Sequence, residues 1–400
     1  MVRGRGLRKS KRLNVLRRKK AAADAAGPAP GLVTWRRRRR DKVRRDLALM
    51  RTNVTRLIRR ARARLGYRRG TWRHAFGRIR PLKTGFVLIY HRVNRLPKAG
   101  FCPLRDLSVR TDDFDKHLAF LKAHFAVISL NDLVSCLRQN GLLPVNFAVL
   151  TFDDGYEDNY TDAFPLLLKH GTPATMFITV GLIEGREPLW NDWLELVLLQ
   201  AKEPYLLRET DGAGVRLPLR TRGEKWYAFE WLSERLLRLT PSARIKMLNE
   251  VGRSLGGSSF PPTGSNQRLL SWGQMRKMQE SGIVDIGSHS MRHALMVGLD
   301  RDLLEEEIGA SRHGIMRHLG NDCFHFAYPN GRSCDFDETA VERLRAHGYV
   351  SACTAEPSLL TGTTDLFRIP RIDTAGMSVE GLAMRLAAVI EAHLPEPIAN

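Results

Sequence analysis

The sequence has no long apolar run. Nothing in its 400 residues approaches the ~20 consecutive apolar residues of a membrane span, and the basic N-terminus is not followed by the apolar stretch of a secretory signal. Neither a transmembrane segment nor ordinary export is expected. Cysteine is also sparse: Cys102, Cys136, Cys323, Cys334 and Cys353 are odd in number, widely spaced and free of any CxxC pair. This argues against a zinc ribbon and a disulfide framework, and suits a reducing compartment. Acidic residues are nearly missing from one end. Residues 1–83 hold 30 of the 64 Lys and Arg but only 3 of the 42 Asp and Glu, so residues 84–400 carry 34 basic against 39 acidic side chains. The net +22 therefore belongs to one extension, and the rest is a mildly acidic body whose 43% hydrophobic content is that of a folded protein.

The extension reads as a basic, largely disordered segment, because like charges at this density repel. Residues 21–31 form an Ala/Gly/Pro linker, and Arg36 to Arg40 are consecutive arginines. Between Met50 and about Arg64, Val54, Leu57, Ile58, Ala61 and Leu65 recur at helical spacing among arginines, which predicts a basic amphipathic helix. Three readings stand beside one another: a solvated tail, an anchor for an anionic membrane or nucleic acid, and an over-extended start with Met50 as the initiator. No interleaved aromatic platform or RNA-binding signature accompanies the arginines, so any nucleic-acid contact would be electrostatic. The expected location is the cytoplasm, peripheral at the inner membrane surface through this extension.

From residue 84 to about 395 the text alternates short apolar runs with amphipathic stretches, the rhythm of an α/β domain with a mainly parallel sheet. Strands are expected at 86–90, 147–152, in TPATMFITV, at 283–288 and at 323–329. Helices are expected at 112–125, capped by Asp112 or Asp113, at 130–141, capped by Asn131, and at 269–282, 301–320 and 336–348. Residues 184–268 break the rhythm with two helical patterns, around 190–202 and 224–253, and read as an insertion that shapes access to a site.

Chemistry gathers where the strands end, which in parallel β/α architectures is the reactive edge. The strand at 147–152 runs into Asp153-Asp154-Gly155. The strand at 283–288 runs into His289 and His293, four residues apart, a spacing that on a helical turn places both rings on one face. The third ends in Tyr328-Pro329-Asn330-Gly331. One carboxylate and two imidazoles make a three-ligand set for a catalytic divalent metal, and a second carboxylate beside it is a natural base.

With TFDDG at 151–155, HSMRH at 289–293 and FAYPNG at 326–331, the sequence resembles the polysaccharide deacetylase, or NodB homology, family, including its chitooligosaccharide and N-acetylglucosamine deacetylases. The resemblance spans roughly 84–375. It implies a distorted (β/α) barrel of about seven strands that removes N-acetyl groups from a glycan or oligosaccharide with a divalent metal, usually Zn2+. Carried over, Asp153 is the general base and Asp154, His289 and His293 are the metal ligands, with the oxyanion donor near Asn330. Two of the family's positions differ. Ala327 and Asn330 stand where many members have an Arg that orients the base and a Tyr, so Arg371 of RIPRI becomes the candidate orienting residue. The late Leu-x-x-His that supplies the acid has no clear counterpart; His347 and His393 sit in other contexts, and His91 after the first strand is a candidate acid or substrate contact. Tyr156 and Tyr328 are candidates to stack on a sugar. Two other functions stay open: a relic barrel that binds polyanions through its extension, and hydrolysis of another non-peptide C–N bond.

Overall fold

Among the described residues there are twelve strands, and odd and even residues along the central ones face opposite ways yet are all buried. They are β1 Gly85–Tyr90, β2 Arg92–Asn94, β3 Ser108–Arg110, β4 Ala126–Val127, β5 Phe147–Phe152, β6 Ala174–Ile178, β7 Tyr205–Thr210, β8 Ala213–Pro218, β9 Val284–Ser288, β10 His325–Ala327, β11 Ser351–Cys353 and β12 Ile372–Asp373. The computed structural model describes residues 58–95, 103–139, 142–185, 187–210, 213–257 and 268–394. Burial on both faces is what a parallel sheet requires, and explains why these strands read as continuous apolar runs. The parallel order is β11-β10-β9-β6-β5-β1-β12, and β4 pairs with the start of β5. The expected seven-stranded, distorted barrel is thus the observed architecture. Its remaining gap is bridged by the chain before β12: Ile369 donates to the Ala352 carbonyl and Thr354 to the Ile369 carbonyl, each through backbone N–H.

Side chains at Val87, Phe147, Val149, Phe177, Ala327, Cys353 and Ile369 fill the barrel lumen as one cluster. Their even-numbered neighbours, such as Phe86, Leu88, Leu150 and Phe152, pack outward against the helices in a second. The lumen is tight: a Cβ at Gly287 would lie 2.6 Å from the Phe177 ring, so only glycine fits β9 there.

The boundary expected at residue 84 moves. Residues 58–69 are helical, and the helix Thr71–Ile79 buries Trp72, Ala75, Phe76 and Ile79 in the outer core. Trp72 packs edge-on to Phe76 and Phe120 at 5.0 and 5.3 Å. Each such side chain contributes roughly 1.5–3 kcal/mol on burial, enough to order this part of the extension despite its charge. The disorder expected for 1–57, and Cys102, lie outside the described residues. Two caps also differ from expectation. Ser129, rather than Asn131, caps the helix Leu130–Arg138 in a reciprocal box with Asp132, and Arg110 precedes the helix Thr111–His124 without a side-chain cap. Asn131 instead donates to Asp285 Oδ2 at 2.7 Å and accepts from His325.

The insertion holds the helices Trp190–Leu199, Arg222–Leu236 and Pro241–Ser254, together with the antiparallel pair β7–β8. It has its own core around Trp193, Leu198, Leu206, Leu217, Leu232 and Leu248. The hairpin was not expected, although Asp211-Gly212 between its strands is a recognised hairpin dipeptide. Among the described residues no helix is long and apolar enough to cross a membrane, and Cys136, Cys323, Cys334 and Cys353 are free thiols.

Candidate active site

Parallel pairing puts the C-terminal ends of β1, β5, β9 and β10 at one edge, and with them His91, Asp153, His289 and Tyr328. Adjacent residues on a strand should face opposite sides. Asp154 avoids this by adopting a left-handed backbone, φ 76°, followed by Gly155 at the same value. Aspartate tolerates that region better than most residues. Both carboxylates are consequently buried at one site.

The two histidines meet by a different route from the helical turn their spacing suggested. Residues 289–293 form a compact loop in which Ser290 and His293 are left-handed, φ 71° and 55°. Ser290 Oγ accepts the His293 N–H at 3.0 Å, and buried Glu307 Oε2 accepts those of Met291 and Arg292 at 3.1 and 2.9 Å. From the insertion, the buried Arg244 guanidinium donates to the His293 carbonyl at 3.0 Å.

His289 Nε2 and His293 Nε2 lie 3.6 and 3.4 Å from Asp154 Oδ1. His289 Nδ1 sits 2.8 Å from the Ala327 carbonyl. A carbonyl only accepts, so Nδ1 carries the proton and the Nε2 lone pair faces Asp154. Asp154 Oδ1 has no hydrogen-bond partner, and burial raises its carboxyl above the ordinary aspartate value. Burial likewise pushes His293 well below the ordinary histidine value. The three donor atoms converge within 4.8 Å of one another. Four ligands around zinc at tetrahedral bond lengths stand about 3.3–3.4 Å apart, so this set fits a small divalent cation.

Asp153 is held differently. Arg371, 1% exposed, donates Nη1 to Oδ1 at 2.7 Å and Nη2 to Oδ2 at 2.8 Å. Its remaining donors reach Thr151 Oγ1 at 3.1 Å and the Thr354 carbonyl at 2.8 Å. Burial works to raise the Asp153 carboxyl, but the guanidinium beside it, with His289, brings it down to about 2. It is therefore an anion across the physiological range. Ala327, in the place where the resemblance puts an arginine, adds only a methyl to the same lumen, and Arg371 arrives from the chain before β12.

A family model described as polysaccharide deacetylase matches residues 143–352. YxkH of Bacillus subtilis (strain 168), named for the same family, is 31% identical over 299 residues, 73% of this chain and 72% of that one. The chain belongs to the polysaccharide deacetylase family. A Staphylococcus epidermidis poly-beta-1,6-N-acetyl-D-glucosamine N-deacetylase is 21% identical over 316 residues, 75% of this chain and 82% of that protein. Among solved structures, IcaB from Ammonifex degensii is 19% identical with TM-score 0.49, covering 77% of this chain and 97% of that one.

For this polysaccharide deacetylase family member, several expected contacts are corrected. Tyr328 is buried, stacks on Phe336 at 3.9 Å between centroids and donates its hydroxyl to the Phe367 carbonyl at 3.1 Å. Its N–H is spent on the Cys353 carbonyl, so it is a core aromatic and reaches neither sugar nor oxyanion. Tyr156 is equally buried, under the Arg92 guanidinium 4.6 Å away. Asn330 is exposed in a left-handed turn three residues after the end of β10. His91 is half-buried with an unpartnered Nδ1, within electrostatic reach of Asp153 and Asp154. The other two histidines are engaged: His347 on Glu305, and His393 on Ser358 Oγ at 3.0 Å and the Val389 carbonyl at 2.8 Å.

Sequence reasoning missed Arg244 and Asp192, both from the insertion. Asp192 is fully buried beside Tyr156, Arg92 and Asp154, and burial pushes it up to about 8. Because its pKa rises on folding, the native state binds the extra proton between about pH 4 and 8, and stability falls as pH climbs through that window. In metal-free protein, Asp192→Asn should match wild type at or below about pH 4 and grow more stable than it as pH rises to about 8, by on the order of a few kcal/mol. Urea melts across that range test this; a pH-independent difference would rule it out.

Proposed function

We propose that this chain is a divalent-metal-dependent hydrolase that removes acetyl groups from an N-acetylated glycan, with zinc as the metal that fits its ligand set. The observation that carries the reading is the division of labour between adjacent carboxylates. Asp154 Oδ1 is left without a protein partner beside two imidazole Nε2 atoms, while both oxygens of Asp153 are clamped by Arg371. Asp154, His289 and His293 would hold a divalent cation, which would supply Lewis acidity and lower the pKa of water.

The protein's own groups do the rest. Asp153, ionised and oriented, accepts the proton of the attacking water. His91, half-buried with an unpartnered Nδ1 and within electrostatic reach of Asp153 and Asp154, is the candidate to return a proton to the leaving amine. The backbone N–H at Asn330, the donor position that the resemblance implies, would meet the developing oxyanion. The N-acetylglucosamine polymer named for the Staphylococcus epidermidis relative supports an amino-sugar polymer as the substrate class. The complete base-and-ligand set supports a working enzyme over a relic barrel.

The test is acetate release from N-acetylglucosamine oligomers of both β-1,4 and β-1,6 linkage. The metal-loaded enzyme is compared with Asp153→Asn, which should retain metal and lose roughly 10²–10⁴ of the rate. Full activity in Asp153→Asn would remove the base assignment.

A further inference from the structure

The ordered part of the basic extension presents a face that the hydrolytic site does not use. Helical residues 58–69 turn Ala63, Gly66 and Tyr67 inward, where Gly66 abuts Met384 and Tyr67 stacks on Trp72 at 5.7 Å. At 100° per residue the opposite side is centred on Ile58, Ala61 and Leu65. Ile58 and Leu65 are 45% and 50% exposed, unusually high for large aliphatic residues on a helix already anchored to a core. Exposed Arg62 and Arg69 flank this stripe on one side, Arg64 and Arg68 on the other.

No acidic residue occurs from 58 to 83, and those four arginines form no ion pair among the described residues. Beside the helix, Arg60 and Arg64 join Arg110 and Lys116 around a polar cavity of about 420 Å³, into which only Asp113 and Glu380 bring negative charge. Its cations outnumber its anions, and its size admits a phosphate headgroup.

We infer that the outward face of residues 58–69, with the adjoining cationic cavity, is a docking surface for an anionic phospholipid membrane. A bilayer rewards both halves of the pattern: aliphatic side chains enter the acyl boundary while arginines beside them reach up to phosphates. A nucleic acid would reward only the charge. The aromatics that could stack on bases, Tyr67 and Trp72, are packed inward.

The full chain should co-sediment with vesicles of phosphatidylcholine containing phosphatidylglycerol, and not with phosphatidylcholine alone. The arginines preceding residue 58 add charge of their own, so the discriminating variant is apolar. Ile58→Ser with Leu65→Ser should weaken vesicle binding about tenfold or more while leaving the melting temperature and acetate release from soluble oligomers unchanged. Leu65→Trp should add a blue-shifted component to the emission when anionic vesicles are present. Undiminished vesicle binding by the double serine variant, equal binding to neutral vesicles, or binding to duplex RNA without binding to vesicles would each overturn the inference.

Discussion

Replacing Arg371 with methionine should cost the enzyme two to three orders of magnitude in kcat/KM and about 3–5 kcal/mol of stability. Both effects have one cause. Asp153 is a buried anion whose two oxygens are satisfied by the two ends of a single guanidinium, and removing one member of such a pair strands the other in low dielectric. Without the guanidinium the burial contribution dominates, so the carboxyl rises from about 2 to above its ordinary value and the base is partly protonated where it should act. The acid limb of the pH–rate profile should then move up into the measurable range. Stability should shift with it. The depressed pKa of wild-type Asp153 contributes stability present above about pH 4 and lost as pH falls toward 2, a contribution the variant lacks. Arg371→Lys should recover part of the stability and less of the rate, since an ammonium neutralises the charge but cannot grip both oxygens. A methionine variant with lowered stability and an unchanged pH profile would mean that Arg371 holds the fold only and does not set the base.

The parts of this molecule legible in its sequence are those where a local pattern implies a local structure. Strand β5 is an apolar run with a sharp stop at Asp153-Asp154-Gly155, and its bounds are as expected because Gly155 leaves the strand at positive φ. The convergence of Asp154, His289 and His293 was likewise readable, since each follows a parallel strand and parallel strands share an edge. The reason for the pairing of the histidines was not readable. The HxxxH spacing suggested a helical turn, yet Ser290 and His293 fold a loop that Glu307 ties down from sixteen residues downstream. Long-range partners have no signature in spacing. Arg371, 218 residues from Asp153, became a candidate only through the resemblance, and Arg244 reaches His293 from an insertion whose helices read as an accessory. The start of the domain was misread for the opposite reason: charge in the extension masked the four buried residues of Thr71–Ile79, whose packing outweighs the repulsion around them.

Stripping divalent metal from the enzyme should take acetate release to background, and restoring zinc should return it together with a higher melting temperature. Two buried imidazole Nε2 atoms lie 3.6 and 3.4 Å from an Asp154 oxygen that no protein donor satisfies, an arrangement costly to keep without a cation. Ligation of that cation by the folded state alone adds RT ln(1 + [L]/Kd), roughly 4 kcal/mol at a thousandfold excess over Kd, so thermal unfolding should depend on metal concentration. His293→Ala should lose stoichiometric metal, the metal-dependent rise in melting temperature, and at least about 10³ of the rate. Asp153→Asn should behave otherwise, keeping metal and its stabilisation while losing the rate, because its carboxylate belongs to Arg371 and not to the ligand set. If both variants lost metal equally, the assignment of separate roles to the two adjacent aspartates would fail. If chelated enzyme kept its full rate, the catalytic role of the three-ligand set would fail with it.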